Sequence, residues 1–237
     1  MRYFWVIINT IFWTTTLGTI GILFSIFESK KGKTLGTCAQ IWAKSILTIG
    51  GFHYSVEGLE NLDKNKSYVF AGNHASAFDI LLAYATLPFW IVSIAKIELR
   101  SIFFLGFVMK SAGHIFIDRN NHEKAIKSLN EAKRSLLQNP RSILLYPEGT
   151  RSLNGSVRKF KPGGLILGAQ LGLPIVPIYY SGTFELLKKG SFKIKRNQKI
   201  KLKIGHPVKV KDYDYSKRRE LAKLIENKVI ELSKGNK

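Results

Sequence analysis

Residues 68–87, YVFAGNHASAFDILLAYATL, place an apolar run, a short polar turn and a second apolar run in direct succession. The first run, Tyr68–Gly72, has the length and the apolar character of a buried strand. The second, Ile80–Leu87, is predicted as a helix. A strand, a turn and a helix in this order form the repeating unit of α/β proteins, whose functional side chains lie on the loops that follow strands.

The same alternation continues along the rest of the chain. Beyond residue 51 it predicts an α/β fold with a mixed β-sheet flanked by helices. The further predicted strands are Trp90–Ala95, His114–Asp118, Ser142–Tyr146, Ile175–Tyr180 and Lys199–Gly205. The further predicted helices are Leu99–Lys110, His122–Gln138, Gly163–Leu171 and Ser216–Leu232. Pro177 predicts that its strand is an edge or bulged strand, because proline cannot donate a ladder hydrogen bond.

The N-terminus is strongly apolar, with no charge between Tyr3 and Phe27. As a helix this run would be roughly 37 Å long, and the hydrocarbon core of a bilayer is about 30 Å thick. A shorter apolar segment, Cys38 to Phe52, contains Lys44 and is too short to cross. Two interpretations stay open, a single transmembrane anchor and a helical hairpin that enters one leaflet. We therefore divide the chain into N-terminal membrane-associated helices, 1–51, and an α/β domain with a basic C-terminal part, 52–237.

The chain is strongly basic, with 37 Lys and Arg against 16 Asp and Glu, a net charge of +21. Such a charge attracts nucleic acid, anionic lipid or an acidic protein. Lys30, Lys31 and Lys33 follow the first helix and predict that this flank faces the cytoplasm. Residues 199–205 alternate basic and apolar side chains, which indicates one basic face on that strand. Because an apolar anchor is present and no nucleic-acid-binding module is recognisable, anionic lipid is the favoured partner.

His74 and Asp79 lie five residues apart in the turn 73–79. On one regular helix they would point about 140° apart, so they can meet only if a turn intervenes. Ser76 and Asp79 have the spacing of a capping box, which predicts such a turn. One interpretation is a plain helix cap beside an incidental loop histidine. The other is a His–Asp pair, in which the carboxylate fixes the imidazole tautomer and Nε2 is free to take a proton from a hydroxyl of the substrate.

Three further polar loops follow apolar segments. The strand at 114–118 ends in Asp118-Arg119, which is either an ion pair or an anion site. Pro147-Glu148-Gly149-Thr150-Arg151-Ser152 follows the next strand, and arginine beside hydroxyl groups suits phosphate. Lys161-Pro162-Gly163-Gly164 opens a helix whose N-terminus favours anions. The five histidines show no metal-ligand spacing.

The order of these segments resembles the glycerolipid acyltransferase superfamily, and within it the 1-acyl-sn-glycerol-3-phosphate acyltransferase family. The resemblance rests on Asn-His-x-Ser-x-x-Asp at 73–79, Gly-x-x-Phe-Ile-Asp-Arg at 113–119, Pro-Glu-Gly-Thr-Arg-Ser at 147–152 and Val-Pro-Ile at 176–178. It covers roughly residues 68–182. The apolar N-terminal helices also match the membrane-docking element of that family.

The resemblance implies a reaction and a set of site residues. His74 and Asp79 would be the catalytic pair, the family's His-x4-Asp. The residues implied for the phosphate site of the acceptor are Arg119, Glu148, Gly149, Thr150, Arg151 and Lys161. The donor would be an acyl thioester on coenzyme A or on acidic acyl carrier protein, and neither a metal nor another cofactor is expected. The acceptor would be lysophosphatidate, acylated at its sn-2 hydroxyl on the cytoplasmic face of the inner membrane, in phospholipid biosynthesis. The alternatives are another acceptor, such as glycerol-3-phosphate or a different lysophospholipid, and a non-catalytic protein that binds anionic membranes.

Overall fold

The computed structural model describes residues 1–30 and 32–235, so Lys31 of the predicted basic flank lies outside the described residues. The helices in these residues are α1 (Arg2–Ser25), α2 (Lys33–Ile49), α3 (Phe78–Thr86), α4 (Phe103–Ser111), α5 (His122–Gln138), α6 (Gly163–Gln170), α7 (Thr183–Leu186) and α8 (Arg218–Lys234). The strands are β1 (Tyr54–Glu57), β2 (Val69–Gly72), β3 (Ile91–Lys96), β4 (Ile115–Ile117), β5 (Ser142–Leu145), β6 (Ile175–Ser181) and β7 (Ile200–Ile204).

The strands form one mixed sheet in the order β1-β7-β6-β2-β5-β3-β4. Strands β6, β2, β5, β3 and β4 run parallel to one another, and β7 pairs antiparallel with β6. The mixed α/β prediction is therefore confirmed. Because parallel strands end at the same edge of a sheet, the loops that follow β2, β4 and β5 lie at one edge. All the predicted polar loops except the start of α6 directly follow these strands.

Some elements differ from the prediction, and the short helix α7 was not predicted. The strand β1 was missed, because its four residues pair with β7, which lies far away in sequence. The predicted helix Leu99–Lys110 is divided into a 3-10 turn, Ile97–Ser101, and α4. At the division Ile102 has extended backbone, and Gly106 packs so closely on Arg100 that a β-carbon would lie 2.2 Å from the Arg100 carbonyl oxygen.

The strand that contains Pro177 is not an edge strand, but its pairing is bulged, which is the other predicted alternative. Ile178 pairs with Ile204 and Ile175 with Val208, so two residues of β6 lie opposite three residues of the neighbouring segment. β6 lies between β7 and β2. Its pairing with β7 begins at Ile178, and the Pro177 carbonyl accepts a hydrogen bond of 2.9 Å from the Gly205 amide, one residue beyond the end of β7. The proline is tolerated because it lies at this irregularity, between the pairing that begins at Ile178 and the bridge from Ile175 to Val208.

Helices cover both faces of the sheet and build two apolar cores. On one face α2 and α3 pack on β2 and β6, and Ala43, Ile46 and Leu47 of α2 are at most 1% exposed. Gly36 of α2 lets this helix approach Trp90, since a β-carbon there would lie 2.4 Å from the indole ring. On the other face α5, α6 and α8 form the second core. Helix α2 is therefore built into the core of the α/β domain.

Helix α1 is the one described helix with the length and apolar composition to cross a membrane. It is nevertheless held against the rest of the protein near both ends. The Arg2 guanidinium donates to the carbonyl oxygen of Gly50 over 2.9 Å, and Gly18 packs against Phe104 and Val108 of α4. Most of its outward face is exposed and apolar, including Trp5 and Phe12.

The predicted basic face of the strand at 199–205 is not free. Lys201 pairs with Glu57 at 2.6 Å, and the buried Lys203 ammonium donates to the Leu232 carbonyl oxygen. The alternation itself is correct, because Ile200, Leu202 and Ile204 are buried on the opposite face. Helix α8 covers the end of Lys203, so that lysine does not offer its charge to a lipid surface.

Candidate active site

His74 and Asp79 form a hydrogen-bonded pair at the carboxyl end of β2. The Nδ1 atom of His74 lies 2.8 Å from Oδ2 of Asp79, whose side chain is fully buried. The same oxygen accepts the amides of Ala75 and Ser76 over 2.7 and 2.8 Å. Within the described residues Nε2 of His74 forms no hydrogen bond, and the imidazole is 15% exposed. The pair therefore presents one free nitrogen to the surface.

The turn that joins the pair keeps one half of the predicted capping box, the hydrogen bond from the Ser76 amide to the Asp79 carboxylate. Helix α3 begins at Phe78 rather than Ile80, and its N-cap, Ala77, has no side-chain cap. The Ser76 hydroxyl donates to the Leu187 carbonyl oxygen at 2.8 Å and accepts the amide of Phe78 in a long bond of 3.4 Å, rather than that of Asp79. Asp79 thus lies in the first turn of the helix, and its carboxylate reaches back to the amides that precede the helix. The expected proximity of His74 and Asp79 is present, but its cause is this set of three hydrogen bonds to Oδ2.

Aromatic rings support the imidazole from behind. The His74 ring stacks on Tyr146, with centroids 4.1 Å apart and planes inclined by 19°. The Tyr146 hydroxyl donates to that of Tyr180 at 3.3 Å. Burial holds the pKa of both phenols well above its usual value, so they stay neutral. A neutral stacking partner fixes the orientation of the ring without adding charge next to it.

The His74 turn is also tied to two neighbouring loops. The Asn73 amide bridges to β6, accepting from the Tyr180 amide and donating to its carbonyl oxygen at 2.8 and 3.2 Å. The Ser152 amide donates to the His74 carbonyl oxygen at 2.7 Å. These bonds fix the histidine backbone relative to the loop at 147–152.

Glu148 is buried behind His74. Its Oε1 atom accepts the His74 amide at 3.1 Å, and only 3% of the residue is exposed. Burial raises the pKa of Glu148 to about 7, although the hydrogen bonds from backbone amides act in the opposite direction. Its other oxygen, Oε2, has no partner among the described residues. The carboxyl group therefore faces the backbone of the His74 turn.

Three of the other predicted residues meet at the mouth of one pocket of about 530 Å³, namely Arg119, Gly149 and Lys161. The Arg119 guanidinium donates to the Gly149 carbonyl oxygen. The usual pKa of an arginine is very high, and burial lowers the pKa of Arg119 from that value. The Lys161 ammonium lies 3.4 Å from where a β-carbon of Gly149 would be. Gly149 has φ of +76°, a conformation that glycine adopts without strain.

The remaining two predicted residues lie on the other side of that loop. The Thr150 hydroxyl accepts a hydrogen bond of 3.1 Å from the Lys189 ammonium. Arg151 is half-buried and forms no ion pair within the described residues. An unpaired guanidinium can bind a phosphate through two parallel hydrogen bonds.

Sequence reasoning missed two lysines near these residues. Lys96 is the last residue of β3, at the same sheet edge, and pairs with Glu98 at 2.7 Å. The predicted strand ended at Ala95, so the lysine fell in the connection to the helix predicted at Leu99–Lys110. Lys189 is 39 residues from Thr150 in sequence, and no local pattern indicates their contact. Among the described residues, no cluster of His, Cys, Asp and Glu side chains is arranged to hold a metal ion.

Comparison with known proteins gives one consistent result. The family model described as Acyltransferase matches residues 53–181. The 1-acyl-sn-glycerol-3-phosphate acyltransferase of Limnanthes douglasii is 34% identical over 180 residues, and the chain spans 63% of the length of that relative. The enzyme of the same name from Haemophilus influenzae is 27% identical over 92% of both chains. The crystal structure of the 1-acyl-sn-glycerophosphate acyltransferase PlsC from Thermotoga maritima superposes with a TM-score of 0.77, at 26% identity over 99% of this chain and 98% of that one.

Proposed function

The chain belongs to the acyltransferase family, and on that premise we propose that it transfers a fatty acyl group from an acyl thioester to the sn-2 hydroxyl of 1-acyl-sn-glycerol-3-phosphate. The product would be phosphatidate, an intermediate of phospholipid biosynthesis. The names of the plant, bacterial and crystallised relatives support this acceptor. The donor would carry its acyl group on coenzyme A or on acyl carrier protein.

The observation that carries the proposal is the free Nε2 atom of His74. Asp79 holds the proton on Nδ1, so Nε2 is the basic nitrogen and can accept the proton of a hydroxyl. Within the described residues no serine, threonine or cysteine side chain is hydrogen-bonded to His74. The pair therefore lacks a nucleophile of its own, which suits a reaction in which the acceptor supplies the hydroxyl.

The reaction follows from this arrangement. His74 removes the proton of the sn-2 hydroxyl while that oxygen attacks the thioester carbonyl carbon. The tetrahedral intermediate then collapses, the carbon–sulfur bond breaks, and the imidazolium returns the proton to the leaving thiolate. Asp79 stabilises the imidazolium that forms between these two steps. No prosthetic group takes part in this scheme.

We infer that Arg119, Arg151 and Lys161, together with Gly149 and Thr150, bind the phosphate of the acceptor. Their support is the cationic pocket mouth and the unpaired Arg151. A phosphate held there would deliver the hydroxyl to His74 in a fixed orientation. Glu148 was expected in the same set, but a buried carboxylate would repel a phosphate. We propose instead that Glu148 positions the His74 backbone.

We further propose that α1 docks the protein into one leaflet, on the cytoplasmic face. The attachment of α1 near both its ends supports a helix that lies along the protein rather than one that crosses a bilayer alone. Its exposed apolar face would then lie among the lipid chains. The amphiphilic acceptor would reach the site from the same membrane.

The test is a panel of acceptors and donors offered to the purified full-length protein in lipid vesicles. The acceptors are 1-acyl-sn-glycerol-3-phosphate, glycerol-3-phosphate and a lysophospholipid with a choline headgroup, each with acyl coenzyme A and with acyl carrier protein. We expect product from 1-acyl-sn-glycerol-3-phosphate with at least one donor. Transfer only to another acceptor would reassign the substrate, and no transfer to any would favour a non-catalytic membrane protein.

A further inference from the structure

The connection between α7 and β7 carries the densest exposed positive charge in the described residues. We call residues 188–199 the basic loop. It contains six cationic side chains and no acidic one. These side chains are all exposed, and they are Lys188, Lys189, Lys193, Lys195, Arg196 and Lys199.

An aromatic ring lies in the middle of this loop. Phe192 is 71% exposed, and its ring makes an edge-on contact with Tyr3 of α1, with centroids 5.1 Å apart. Phe4 and Trp5, the next residues of α1, are 67% and 52% exposed. The apolar outer face of α1 therefore continues onto the basic loop at Phe192. A continuous exposed apolar patch of this kind marks an interaction surface.

The position of the loop relative to α1 is fixed by hydrogen bonds. The Lys195 amide donates to the Leu186 carbonyl oxygen at 3.0 Å. The Arg2 guanidinium donates to the Lys195 carbonyl oxygen at 3.3 Å and to that of Gly50 at 2.9 Å. Ile194 packs against the apolar core between α2 and the sheet. The loop and the start of α1 thus present one surface.

The beginning of the loop also touches the active site. The Leu187 carbonyl oxygen accepts the Ser76 hydroxyl of the catalytic turn. Lys189 donates to Thr150 in the loop inferred to bind phosphate. A partner that binds the basic loop is therefore held at a set distance from His74.

We propose that the basic loop is a second membrane contact, beside α1, which docks on an anionic leaflet. Phe192 enters the apolar layer next to Phe4 and Trp5, and the six cations lie among the negatively charged headgroups. This inference rests on the proposed attachment of α1 to one leaflet. An acidic protein partner would match the charge, but it would leave unexplained why the aromatic ring continues the apolar face of α1. The contact places the active-site opening at the level where an anionic lysophospholipid lies.

Depth-dependent fluorescence quenching tests the proposal on the full-length chain. Cys38 is the only cysteine in the sequence, so a Cys38→Ala background allows single labels. One variant carries Phe192→Cys, and the matched control carries Leu137→Cys, which is 60% exposed on α5 at the other face of the sheet. Each is labelled with a polarity-sensitive fluorophore and mixed with phosphatidylglycerol-containing vesicles whose acyl chains are brominated. We expect quenching at position 192 to exceed that at 137 at least ~3-fold, because only the former lies in the lipid. Equal quenching at the two positions would overturn the proposal.

A charge-reversal pair tests the role of the cations. Lys193→Glu with Lys199→Glu should reduce quenching of the label at position 192 at least ~2-fold in anionic vesicles, since both charges then oppose the headgroups. The control pair, Lys127→Glu with Arg134→Glu on α5, makes the same change in net charge and should leave the quenching unaltered. Equal losses from both pairs would overturn the headgroup role of the loop.

A third arm separates membrane from protein. Acidic acyl carrier protein replaces the vesicles, and a spectral change at position 192 with that protein but none with vesicles would overturn the proposal in favour of a protein partner. None of these measurements needs catalysis. A protein that forms no product in the acceptor panel can still show quenching at position 192, and an active enzyme can show none. Failure of the proposed function and failure of the proposed membrane contact are therefore distinguishable.

Discussion

Asp79 is the residue on which the geometry of the site depends most, because one of its oxygens accepts three hydrogen bonds from a single turn. The sequence predicted that His74 and Asp79 would meet, from the five-residue spacing after a strand. It could not predict that the Ala75 and Ser76 amides converge on the same oxygen. A pattern of residue types does not show where backbone amides point, so a side-chain cap was the nearest available explanation for the proximity of His74 and Asp79.

The buried Glu148 gives the fold a pH dependence in the weakly acidic range. Its pKa is about 7 in the fold, above the usual value near 4.5. A carboxyl group with a raised pKa binds its proton more tightly in the folded state, so its stabilisation is complete below about pH 4.5 and is lost as the pH rises through 7. The full change is on the order of 3 kcal/mol.

Glu148→Gln should remove this dependence. The amide oxygen still accepts the His74 amide, but the side chain no longer titrates. Denaturant unfolding of wild type and variant between pH 4.5 and 7.5 measures the difference, and we expect a flatter stability profile for Glu148→Gln. Parallel profiles in the two proteins would show that Glu148 does not titrate in this range.

Arg151→Lys should weaken binding of the acceptor although it keeps the charge. An ammonium group cannot reproduce the two parallel hydrogen bonds that a guanidinium donates to a phosphate. We expect KM for 1-acyl-sn-glycerol-3-phosphate to rise roughly 10-fold, the effect of losing about 1.4 kcal/mol, with KM for the donor unchanged. Lys127→Arg on α5 is a control for general effects of basic substitution. A defect confined to the donor would show that Arg151 belongs to the thioester side of the site.

Most of the helices and strands were predicted from local patterns, and those that were missed depend on contacts distant in sequence. The run from 122 to 138 gives α5 with the predicted bounds, because its apolar side chains recur at helical spacing and Pro140 follows it. By contrast, β1 is a strand only because β7, some 145 residues away, pairs with it. For Pro177 the local rule left an edge and a bulge open, and only the register with the neighbouring segment distinguishes the two.

At the level of elements, Gly36 tests whether α2 belongs to the core of the domain. A β-carbon at this position would lie 2.4 Å from the Trp90 ring, and neither partner can move freely. Gly36→Ala should therefore lower the free energy of unfolding by about 1–3 kcal/mol, despite the better helix propensity of alanine. Thr37→Ala, at the exposed neighbouring position, is the control and should be nearly neutral. Stability of Gly36→Ala equal to wild type would mean that α2 is only loosely attached.

At the scale of the whole molecule, the structure refines where the membrane-associated part ends. The predicted boundary lies between residues 51 and 52, yet Ala43, Ile46 and Leu47 of α2 are buried in the core of the domain. Helix α1 contributes mainly an exposed apolar face, and Val6 is its one buried side chain in that core, with Tyr3 and Trp13 packed against it. The two helices, which look alike as apolar segments, thus have different roles. Only their packing in the structure distinguishes these roles.

Two truncations follow from this difference. A protein that starts at Lys33 keeps α2 and should unfold cooperatively, bind vesicles more weakly than full length and dissociate from anionic vesicles as salt rises. Screening reduces the Debye length from about 8 Å at physiological ionic strength to ~3 Å at 1 M. A protein that starts at Phe52 loses the core residues of α2 and should be insoluble or unfold without cooperativity. Thermal unfolding with vesicle co-sedimentation measures both. Salt-resistant binding of the protein that starts at Lys33 would show that α1 is not the main attachment.

The central claim is that His74 acts as the general base of acyl transfer, and His74→Ala tests it most directly. The measurement is the rate of phosphatidate formation from 1-acyl-sn-glycerol-3-phosphate by full-length wild type and variant, bound in equal amounts to the same anionic vesicles. Without the imidazole, Oδ2 of Asp79 still accepts the Ala75 and Ser76 amides, so the variant should still unfold cooperatively and bind vesicles like wild type. We expect turnover to fall at least ~100-fold, the lower range of general-base contributions. A variant that is folded, bound and within a few-fold of the wild-type rate would contradict the account.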